Sequence, residues 1–527
     1  MILPVFRHLL NRLKENLYAQ RVSLQEQTSI IIADPGMMFS LLWHVKERYP
    51  QRDFNLITPS ISLIGQEGLS SLIDRFDNIL DEDAYPLWIF STLLRSASIV
   101  LNKKVDIIED EHAIIASQIP MLGYLLMYQR FPQIKRLFPL LLRILKEDSI
   151  FIQEKLFKTN HIAEVQKITN LPSLFITTCS MLGLIYTNKG KRVEAFDHPI
   201  IFSDNYRSFQ LLKIMEIAEL SAQNILFPQV IEAQERCKEN MKKYFAIPEN
   251  EYEEYLSEVI TLFEGECDAY GQRILCKDML EYAQRYSQGG FSFITISEPF
   301  KSDLNKFYEA NRQGRHLLIW GEADVGKRLL LASVHQRDDN PNKHSPFISI
   351  YCSGISNDNF DVEFFGSKGG FFGFERLKGA LDIAKDGGTV LLKNIDRMSI
   401  DLQEKLSRII KEGFFYKLGE LKPTRFNCRF FLTSRTDPSD TTHISEILLK
   451  TINPYILYVP PLRYRRQDIE VIADGIIKKY ELPIYDRGML IGLKEYYENE
   501  DFRNNLLDLK RLLFFVSARK ILLKDLD

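Results

Sequence analysis

The residues with the clearest chemical meaning are two glycines and a lysine in the segment LLIWGEADVGKRLL. Gly321, Gly326 and Lys327 have the spacing of a phosphate-binding loop, and they follow an apolar strand and precede a helical segment. Glycines let backbone N–H groups turn toward phosphate oxygens, the helix N-terminus favours negative charge, and the lysine reaches the terminal phosphates. The segment therefore predicts a site for ATP or ADP. The predicted site consists of Gly321, Glu322, Ala323, Asp324, Val325, Gly326, Lys327 and Arg328.

A second segment, GGTVLLKNID, has the turn and the apolar strand on which nucleotide-hydrolysing enzymes carry acidic residues. Such a strand is expected to end in carboxylates that hold magnesium and orient water, but this one ends in Lys393 and Asn394. An ammonium group repels a divalent cation, which argues against magnesium at this position. Lys393 either pairs with a phosphate, so that nucleotide binds without metal, or reaches solvent at the strand end.

Composition limits the class of protein. A chain of 527 residues predicts several domains, and 67 Lys+Arg against 70 Asp+Glu give no sign of a nucleic-acid or membrane-surface protein. Six cysteines occur without a metal-ligand spacing, so we expect reduced thiols, no metal site and a cytoplasmic location. The uncharged stretch 169–188 is long enough to span a membrane. Because it contains Pro172, two Asn and four Thr, we expect a buried pair of helices instead.

The pattern of apolar and charged residues changes along the chain. Residues 1–225 show helical spacing of apolar residues, and residues 226–290 form a more charged segment interpreted as a helical connector. Between residues 291 and 460, short apolar strands alternate with helices, which predicts a parallel sheet with helices on both faces. The predicted strands are HLLIW, FISIYC, TVLLKN, CRFFLTS and YILYV. Residues 461–527 are again predicted to be helical.

Six segments in this second half are similar, in order and spacing, to the AAA+ domain of bacterial sigma-54 activators, over about residues 295–515. They are GEADVGK, EFFGSKGGFFGFE, GALDIAKDGGTVLLKNID, DLQEKLSRIIKEGFFYKLGE, NCRFFLTSRTD and VPPLRYRRQDI. The resemblance implies an α/β P-loop AAA+ subdomain over 291–460 and a helical lid over 461–527. No helix-turn-helix domain is expected after the lid, so direct DNA binding is not expected.

The same resemblance implies catalytic groups that this sequence replaces. Lys393 and Asn394 stand where the family has Asp-Glu, Arg328 where it has Glu, Arg435 where it has the phosphate-sensing Asn, and Leu507 where it has a sensor arginine, with Lys510 and Arg511 nearby. Arg429 matches the first of two arginine fingers that reach a neighbouring subunit, and Thr436 falls at the second. The resemblance therefore implies a pseudo-ATPase.

The family's contact loop for the sigma factor, GAFTGA, aligns with GGFFGF in this chain. Phe372 replaces the threonine that makes the contact in the family. Phe371, Phe372 and Phe374 either form an apolar patch that binds a partner or pack back onto their own domain.

The N-terminal half resembles HDOD domains, helical signalling modules related to HD phosphohydrolases, over about residues 1–210. Asp34 and Pro35 in IIADPGMMFSLLWHVKERYP supply the Asp-Pro helix start. Phe90 and the sequence PMLG at 120–123 occupy places where HD enzymes have metal ligands, and His161 alone is interpreted as a structural residue. The resemblance implies a module for protein interaction.

The predicted fold is thus multidomain: an all-α HDOD-like N-terminal domain plus an α/β P-loop AAA+ domain with a C-terminal helical lid. The predicted function is a catalytically inactive regulatory scaffold that binds ATP or ADP and acts through protein partners, such as a sigma-54 activator or another signalling protein, or as a homo-oligomer. Two alternatives stay open. One is a transcription regulator that acts with sigma-54 RNA polymerase or co-assembles with an intact activator. The other is a divergent ATPase that uses Lys327, Arg429 and an acid such as Asp396 or Asp386.

Overall fold

The computed structural model describes most of the chain in two compact units. The described residues are 2–18, 23–81, 84–186, 192, 205–245, 247, 251–286, 293, 295–357, 360–367, 377–483 and 504–523. The first unit comprises Met1–Gly289 and Phe515–Asp527, and the second comprises Gly290–Phe514.

The first unit is helical, as the spacing of its apolar residues predicts. Its only described strands are β1 (Val5–Phe6) and β2 (Ile79–Leu80), which pair in parallel. The helices are α1 (Arg7–Tyr18), α2 (Leu24–Ile32), α3 (Pro35–Arg48), α4 (Ile57–Ile73), α5 (Tyr85–Val105), α6 (Asp110–Ser117), α7 (Ile119–Arg130), α8 (Phe138–Arg143), α9 (Lys146–Phe157), α10 (His161–Gln166), α11 (Ser173–Ile185), α12 (Tyr206–Leu226), α13 (Ile231–Phe245), α14 (Tyr252–Ala269) and α15 (Arg273–Tyr286). The predicted connector 226–290 thus lies in this unit, and its described part forms α13 to α15.

The Asp-Pro start of α3 is built as the sequence suggests. Asp34 caps the helix by accepting a hydrogen bond from the amide of Met37 (3.0 Å), and Pro35 occupies the first helical position. The second carboxylate oxygen accepts from the amide of Phe6 in β1 (2.7 Å). The next long helix, α4, breaks at Gly65, whose φ of 65° is left-handed.

The expectation of two helices within 169–188 was wrong. A single helix, α11, begins after Pro172 and continues to Ile185, because the proline stands before the helix instead of interrupting it. Within the described residues, no helix is by itself both long and apolar enough to cross a membrane. The bent pair α2 and α3, which meet at 113°, passes that test only when the two are taken together.

The second unit contains a parallel sheet with helices, which confirms the predicted α/β class. Its five long strands are β3 (Leu317–Trp320), β4 (Phe347–Tyr351), β7 (Asp386–Lys393), β10 (Asn427–Ser434) and β11 (Tyr455–Tyr458), in the spatial order β11-β3-β10-β7-β4. All their pairings are parallel. Short antiparallel pairs join β5 (Gly366–Ser367) to β6 (Leu377–Lys378) and β8 (Phe414–Phe415) to β9 (Thr424–Arg425).

The helices of this unit cover both faces of the sheet. They are α16 (Glu298–Arg312), α17 (Lys327–His335), α18 (Phe360–Phe365), α19 (Ala380–Ala384), α20 (Ile400–Glu412), α21 (Glu446–Ile452), α22 (Asp468–Tyr480) and α23 (Leu506–Leu523). Helix α23 begins in this unit, and its residues from Phe515 onward are assigned to the first unit. In β3, Leu318 belongs to one buried apolar cluster, and Leu317 and Ile319 belong to another. A strand that is buried on both faces explains the unbroken apolar run of its sequence.

A buried ion pair anchors the segment before α16. The side chains of Arg465 and Asp468 are both fully buried, 3.4 Å apart. Asp468 also accepts hydrogen bonds from the hydroxyl of Thr295 (2.7 Å) and the amides of Ile296 (2.7 Å) and Ser297 (3.1 Å). One carboxylate therefore holds the turn before α16 and neutralises an arginine that has no access to water.

We predict that Asp468→Asn lowers the free energy of unfolding of the second unit by about 3 kcal/mol, since it leaves the Arg465 charge buried without its counter-charge. Hydrogen exchange of peptides that cover β3, followed at increasing urea concentration, measures this. Asp303→Asn removes a carboxylate that is 61% exposed on α16 and serves as the control. Equal urea profiles for the two variants would contradict the anchoring role.

Candidate nucleotide site

The candidate site begins where β3 ends. The strand lies inside the sheet between β11 and β10, and six residues connect it to α17. Gly321 has a φ of 146°, and a Cβ added to it would lie 2.5 Å from the carbonyl oxygen of Val459. Gly326 has a φ of 98°. Both positions therefore require glycine, as the motif predicts.

The carbonyl groups of this loop are held from inside the protein. The donors are Lys327 Nζ to the carbonyls of Gly321 (2.7 Å) and Glu322 (2.5 Å), Asn505 Nδ2 to Ala323 (2.9 Å), the amide of Leu506 to Asp324 (3.0 Å), and Arg465 Nη2 to Val325 (2.7 Å). In a trans peptide the N–H group points away from the carbonyl that precedes it. The amides of residues 322–326 accordingly face the other side of the loop, where no described residue accepts a hydrogen bond from them.

Lys327 is the first residue of α17 and is 8% exposed. Burial, and to a smaller extent the positive charge of Arg435, lower the pKa of its amine to about 8. Asp324, Asp396 and Glu322 act in the opposite direction and favour the charged form. The ammonium is therefore buried among three carboxylates and one guanidinium.

Further cations surround the loop. The pKa of Asp324 is raised because neighbouring atoms shield its carboxyl group from water, although Arg435, Lys327, Lys510 and Arg511 all favour its ionised form. Two of these cations, Lys510 and Arg511, lie in the early turns of α23. The loop thus has the local excess of positive charge that a polyphosphate requires.

The end of β7 does not fit a magnesium ion. Lys393 is 5% exposed, and its ammonium nitrogen lies 4.2 Å from the centre of the Tyr351 ring. Asn394 has a left-handed φ of 56°, and its amide donates to the hydroxyl of Thr433 (2.9 Å). A lysine and an asparagine supply no carboxylate at the position where a metal ligand is expected.

Neither acid considered as a substitute stands free at this end of the strand. The Asp396 carboxylate is buried and accepts a hydrogen bond from the amide of Arg435 (3.1 Å), with Arg397 Nε at 3.8 Å. Asp386 is the first residue of β7, whereas Lys393 is the last. Seven strand steps separate them by roughly 23 Å, so Asp386 cannot act beside Lys393.

The family described as "Sigma-54 interaction domain" matches residues 293–450. The HTH-type transcriptional regulatory protein TyrR of Haemophilus influenzae is 31% identical to this chain over 231 residues, which cover 42% of this chain and 70% of TyrR. The chain belongs to the sigma-54 interaction family. The family match lies within the second unit and contains the phosphate loop and four of the five long strands, all but β11.

Other relatives of this family are matched over smaller parts of their length. The transcriptional regulatory protein FlbD of Caulobacter vibrioides is 36% identical over 169 residues, and the chain spans only 36% of it. Among solved structures, NtrX from Brucella abortus in complex with ATP is 19% identical and covers 49% of this chain and 60% of its own, with a TM-score of 0.38. That score is too low to support a conclusion about this chain.

The side chain of Arg429 is buried inside its own domain and bonds other residues of that domain. Its side chain lies in β10, is buried, and donates to the side-chain oxygens of Asn311 (3.2 Å) and Asn340 (2.9 Å) and to the carbonyl of Arg315 (2.5 Å). Burial lowers the pKa of its guanidinium to about 10. The arginine-finger assignment does not fit this placement, because a finger must reach out of its own subunit.

The remaining residues singled out in the sequence lie in different parts of the structure. Arg435 is exposed and Leu507 is partly buried in the first turn of α23. Phe371, Phe372 and Phe374 lie outside the described residues. In the N-terminal half, His161 is buried, stacks on Tyr124 and bonds through Nδ1 to Gln153 (3.0 Å), and burial lowers its pKa to about 3. Within the described ranges no cluster of three His, Cys, Asp or Glu side chains could hold a metal ion.

The sequence interpretation missed Asn505, Arg465 and Arg463. Each contacts the phosphate loop: Arg463 pairs with the Glu322 carboxylate (2.8 Å), and the other two bond its carbonyls. Arg463 and Arg465 stand in the matched segment VPPLRYRRQDI. For the two arginines the available signal was therefore their position inside a matched segment, without any indication of what they contact, and Asn505 lies in none of the six segments.

We predict that Arg429→Ala lowers the free energy of unfolding by about 3 kcal/mol, because three buried acceptors lose their donor. Calorimetric melting measures this, with Arg425→Ala, an exposed arginine on β9, as the control. An arginine finger predicts the opposite pattern: unchanged melting, and altered nucleotide turnover when variant and wild-type subunits are mixed.

Proposed function

We propose that this protein is a regulatory member of the sigma-54 interaction family that binds ATP or ADP at residues 321–328 and does not hydrolyse it at a rate useful for work. The observation that carries this proposal is the orientation of the loop. Its carbonyls are all bonded to the protein, its amides have no described acceptor, and four cations act on the carboxyl group of Asp324 in the same loop. Amides arranged in this way bind phosphate oxygens in other phosphate loops.

The end of β7 supports the second half of the proposal. Phosphoryl transfer to water needs a metal ion to neutralise charge and a carboxylate to orient the attacking water. Lys393 and Asn394 stand at the place of both, and Asp396 is engaged by the Arg435 amide. In our proposal the charge of the phosphates is neutralised by lysine and arginine side chains, without magnesium. The module is thus degenerate with respect to catalysis.

Lys327 must exchange partners for nucleotide to bind. In this structure its ammonium bonds two carbonyls of the loop itself, those of Gly321 and Glu322. A charged phosphate oxygen is a stronger acceptor for an ammonium group than a neutral carbonyl. Binding therefore replaces two internal bonds with a charge-assisted one.

We propose transcription regulation as the process, on the strength of the family match and the regulators named among its relatives. The partner is then sigma-54 RNA polymerase or an intact activator with which this chain co-assembles. The first unit is proposed to be an HDOD-like signalling module, since it is helical and begins α3 with an Asp-Pro cap. We also propose a cytoplasmic location, because all six cysteines are free thiols.

We predict that calorimetry of the purified protein detects ATP and ADP binding with and without magnesium, and that no phosphate is released from ATP. Lys327→Ala should weaken the affinity by about tenfold or more, since the proposed site loses the ammonium group that bonds phosphate oxygens. Lys450→Ala, which removes a lysine that is 74% exposed on α21, should leave the affinity unchanged.

Two outcomes of that experiment would overturn parts of the proposal. Absence of binding by the wild-type protein would remove the nucleotide site itself. Magnesium-dependent phosphate release would instead favour the divergent ATPase, and Asp396→Asn would then be the variant that identifies the missing acid.

We predict that nucleotide affinity falls as the pH rises through about 8. The pKa of Lys327 is lowered to about 8 in the nucleotide-free protein, so the ammonium that attracts phosphate is lost above that pH. Affinity should approach a loss of about tenfold per pH unit, with uptake of one proton on binding. Lys327→Arg keeps its charge and should give a flatter profile. Calorimetry in two buffers of different ionisation enthalpy measures the proton uptake, and identical profiles for both proteins would contradict the prediction.

The same pKa shift has the opposite effect on the stability of the nucleotide-free protein. The unfolded chain holds a proton on Lys327 up to its ordinary pKa of 10.5, whereas the folded protein releases it near 8. Stability rises with pH wherever the unfolded state binds more protons. Burial of this ammonium therefore destabilises the fold below pH 8, and this destabilisation is lost as the pH rises from 8 to 10.5.

A further inference from the structure

Asn505 connects three segments of the second unit that are distant in sequence. It precedes α23 by one residue, and its side chain is fully buried. Nδ2 donates to the carbonyl of Ala323 (2.9 Å) and to the carboxylate of Glu322 (3.3 Å), while Oδ1 accepts from the amide of Leu462 (2.7 Å). The amide side chain thus has partners on both its donor and its acceptor side.

The first residue of α23 also bonds the phosphate loop. The amide of Leu506, the first residue of α23, donates to the carbonyl of Asp324 (3.0 Å). First-turn amides of a helix have no acceptor within the helix and need one elsewhere. The phosphate loop supplies that acceptor, so the beginning of α23 and the conformation of the loop depend on each other.

We propose that Asn505 is a positioning residue that couples the phosphate loop to α23, so that phosphate on the loop and order in the first turn of the helix stabilise one another. The proposal rests on the proposed nucleotide binding. Asn505 does not touch the phosphates. It fixes the Ala323 carbonyl, which fixes the direction of the next amide, and that amide is one of those available to the ligand. Any signal or partner that moves α23 then changes nucleotide affinity by the same factor with which nucleotide stabilises the helix.

The backbone of Asn505 permits a clean test. Its φ of 49° is left-handed, a conformation that glycine adopts without strain. Asn505→Gly therefore removes the amide side chain without backbone strain and without a change of charge. Asn453 offers a matched control, because it is also left-handed, with a φ of 46°, and is exposed at the end of α21.

The experiment combines ADP calorimetry with hydrogen exchange of peptides that cover residues 504–510. In wild-type protein and Asn453→Gly, we expect ADP to bind and to slow exchange in these peptides. In Asn505→Gly, we expect an affinity about tenfold weaker and, at saturating ADP, a smaller slowing of exchange. A residue that only supported the fold would leave this nucleotide-induced protection intact once the site is saturated.

The Asn505→Asp variant covers the case in which the glycine variant is too unstable to purify. It keeps the shape and the bond from the Leu462 amide, but it places an oxygen against the Ala323 carbonyl, so the same loss of protection is expected. If the wild type binds ADP, and Asn505→Gly binds it with the same affinity and shows the same protection from exchange, the coupling is overturned but the proposed function is not. Failure of the wild type to bind ADP would overturn the proposed function, and the coupling with it.

Discussion

The organisation of the second unit depends on how the carbonyls of one short loop are bonded. A phosphate loop is a chain of peptide groups whose N–H ends must point outward, and this requires their C=O ends to be fixed inward. In this chain the fixing groups come from four places: the lysine of the loop, the arginine Arg465, the asparagine before α23, and the first amide of that helix. The sheet sets where the loop begins, and these groups set its shape.

The constraint extends outward from the loop through buried charges. Arg465, which bonds the loop, is neutralised by Asp468, and Asp468 also holds the turn before α16. A buried arginine is tolerated only where a counter-charge and acceptors surround it. The loop, the segment after β11 and the start of α16 therefore form one cooperative region, in which a change at one position is felt at the others.

Much of the fold could be predicted from the sequence. All five long strands coincide with the apolar runs predicted for them. The three inner strands, β3, β7 and β10, are buried along most of their length, which explains their nearly unbroken apolar sequences. The two glycines of the loop were predictable for a similar reason, since their backbone conformations exclude other residues. Local signals of this kind do not depend on what lies elsewhere in the chain.

The rest depends on long-range contacts that no local pattern reports. Asn505 bonds a carbonyl 182 residues away, and Arg465 bonds one 140 residues away. Arg429 was matched to an arginine finger by position in an alignment, which does not distinguish a side chain that turns inward to Asn311 and Asn340 from one that turns outward. The helix pair expected at 169–188 was wrong for another reason: the polar residues argued against a membrane span but gave no position for a break, and one helix occupies Ser173–Ile185.

The lysine at the end of β7 changes what the site can respond to. In an enzyme that binds nucleotide through a metal ion, the charge of the site follows the supply of that metal. Here a cation is part of the polypeptide, buried against the ring of Tyr351. A lysine side chain is therefore present at this position in every copy of the folded protein, whereas a bound metal ion is present only in proportion to its concentration.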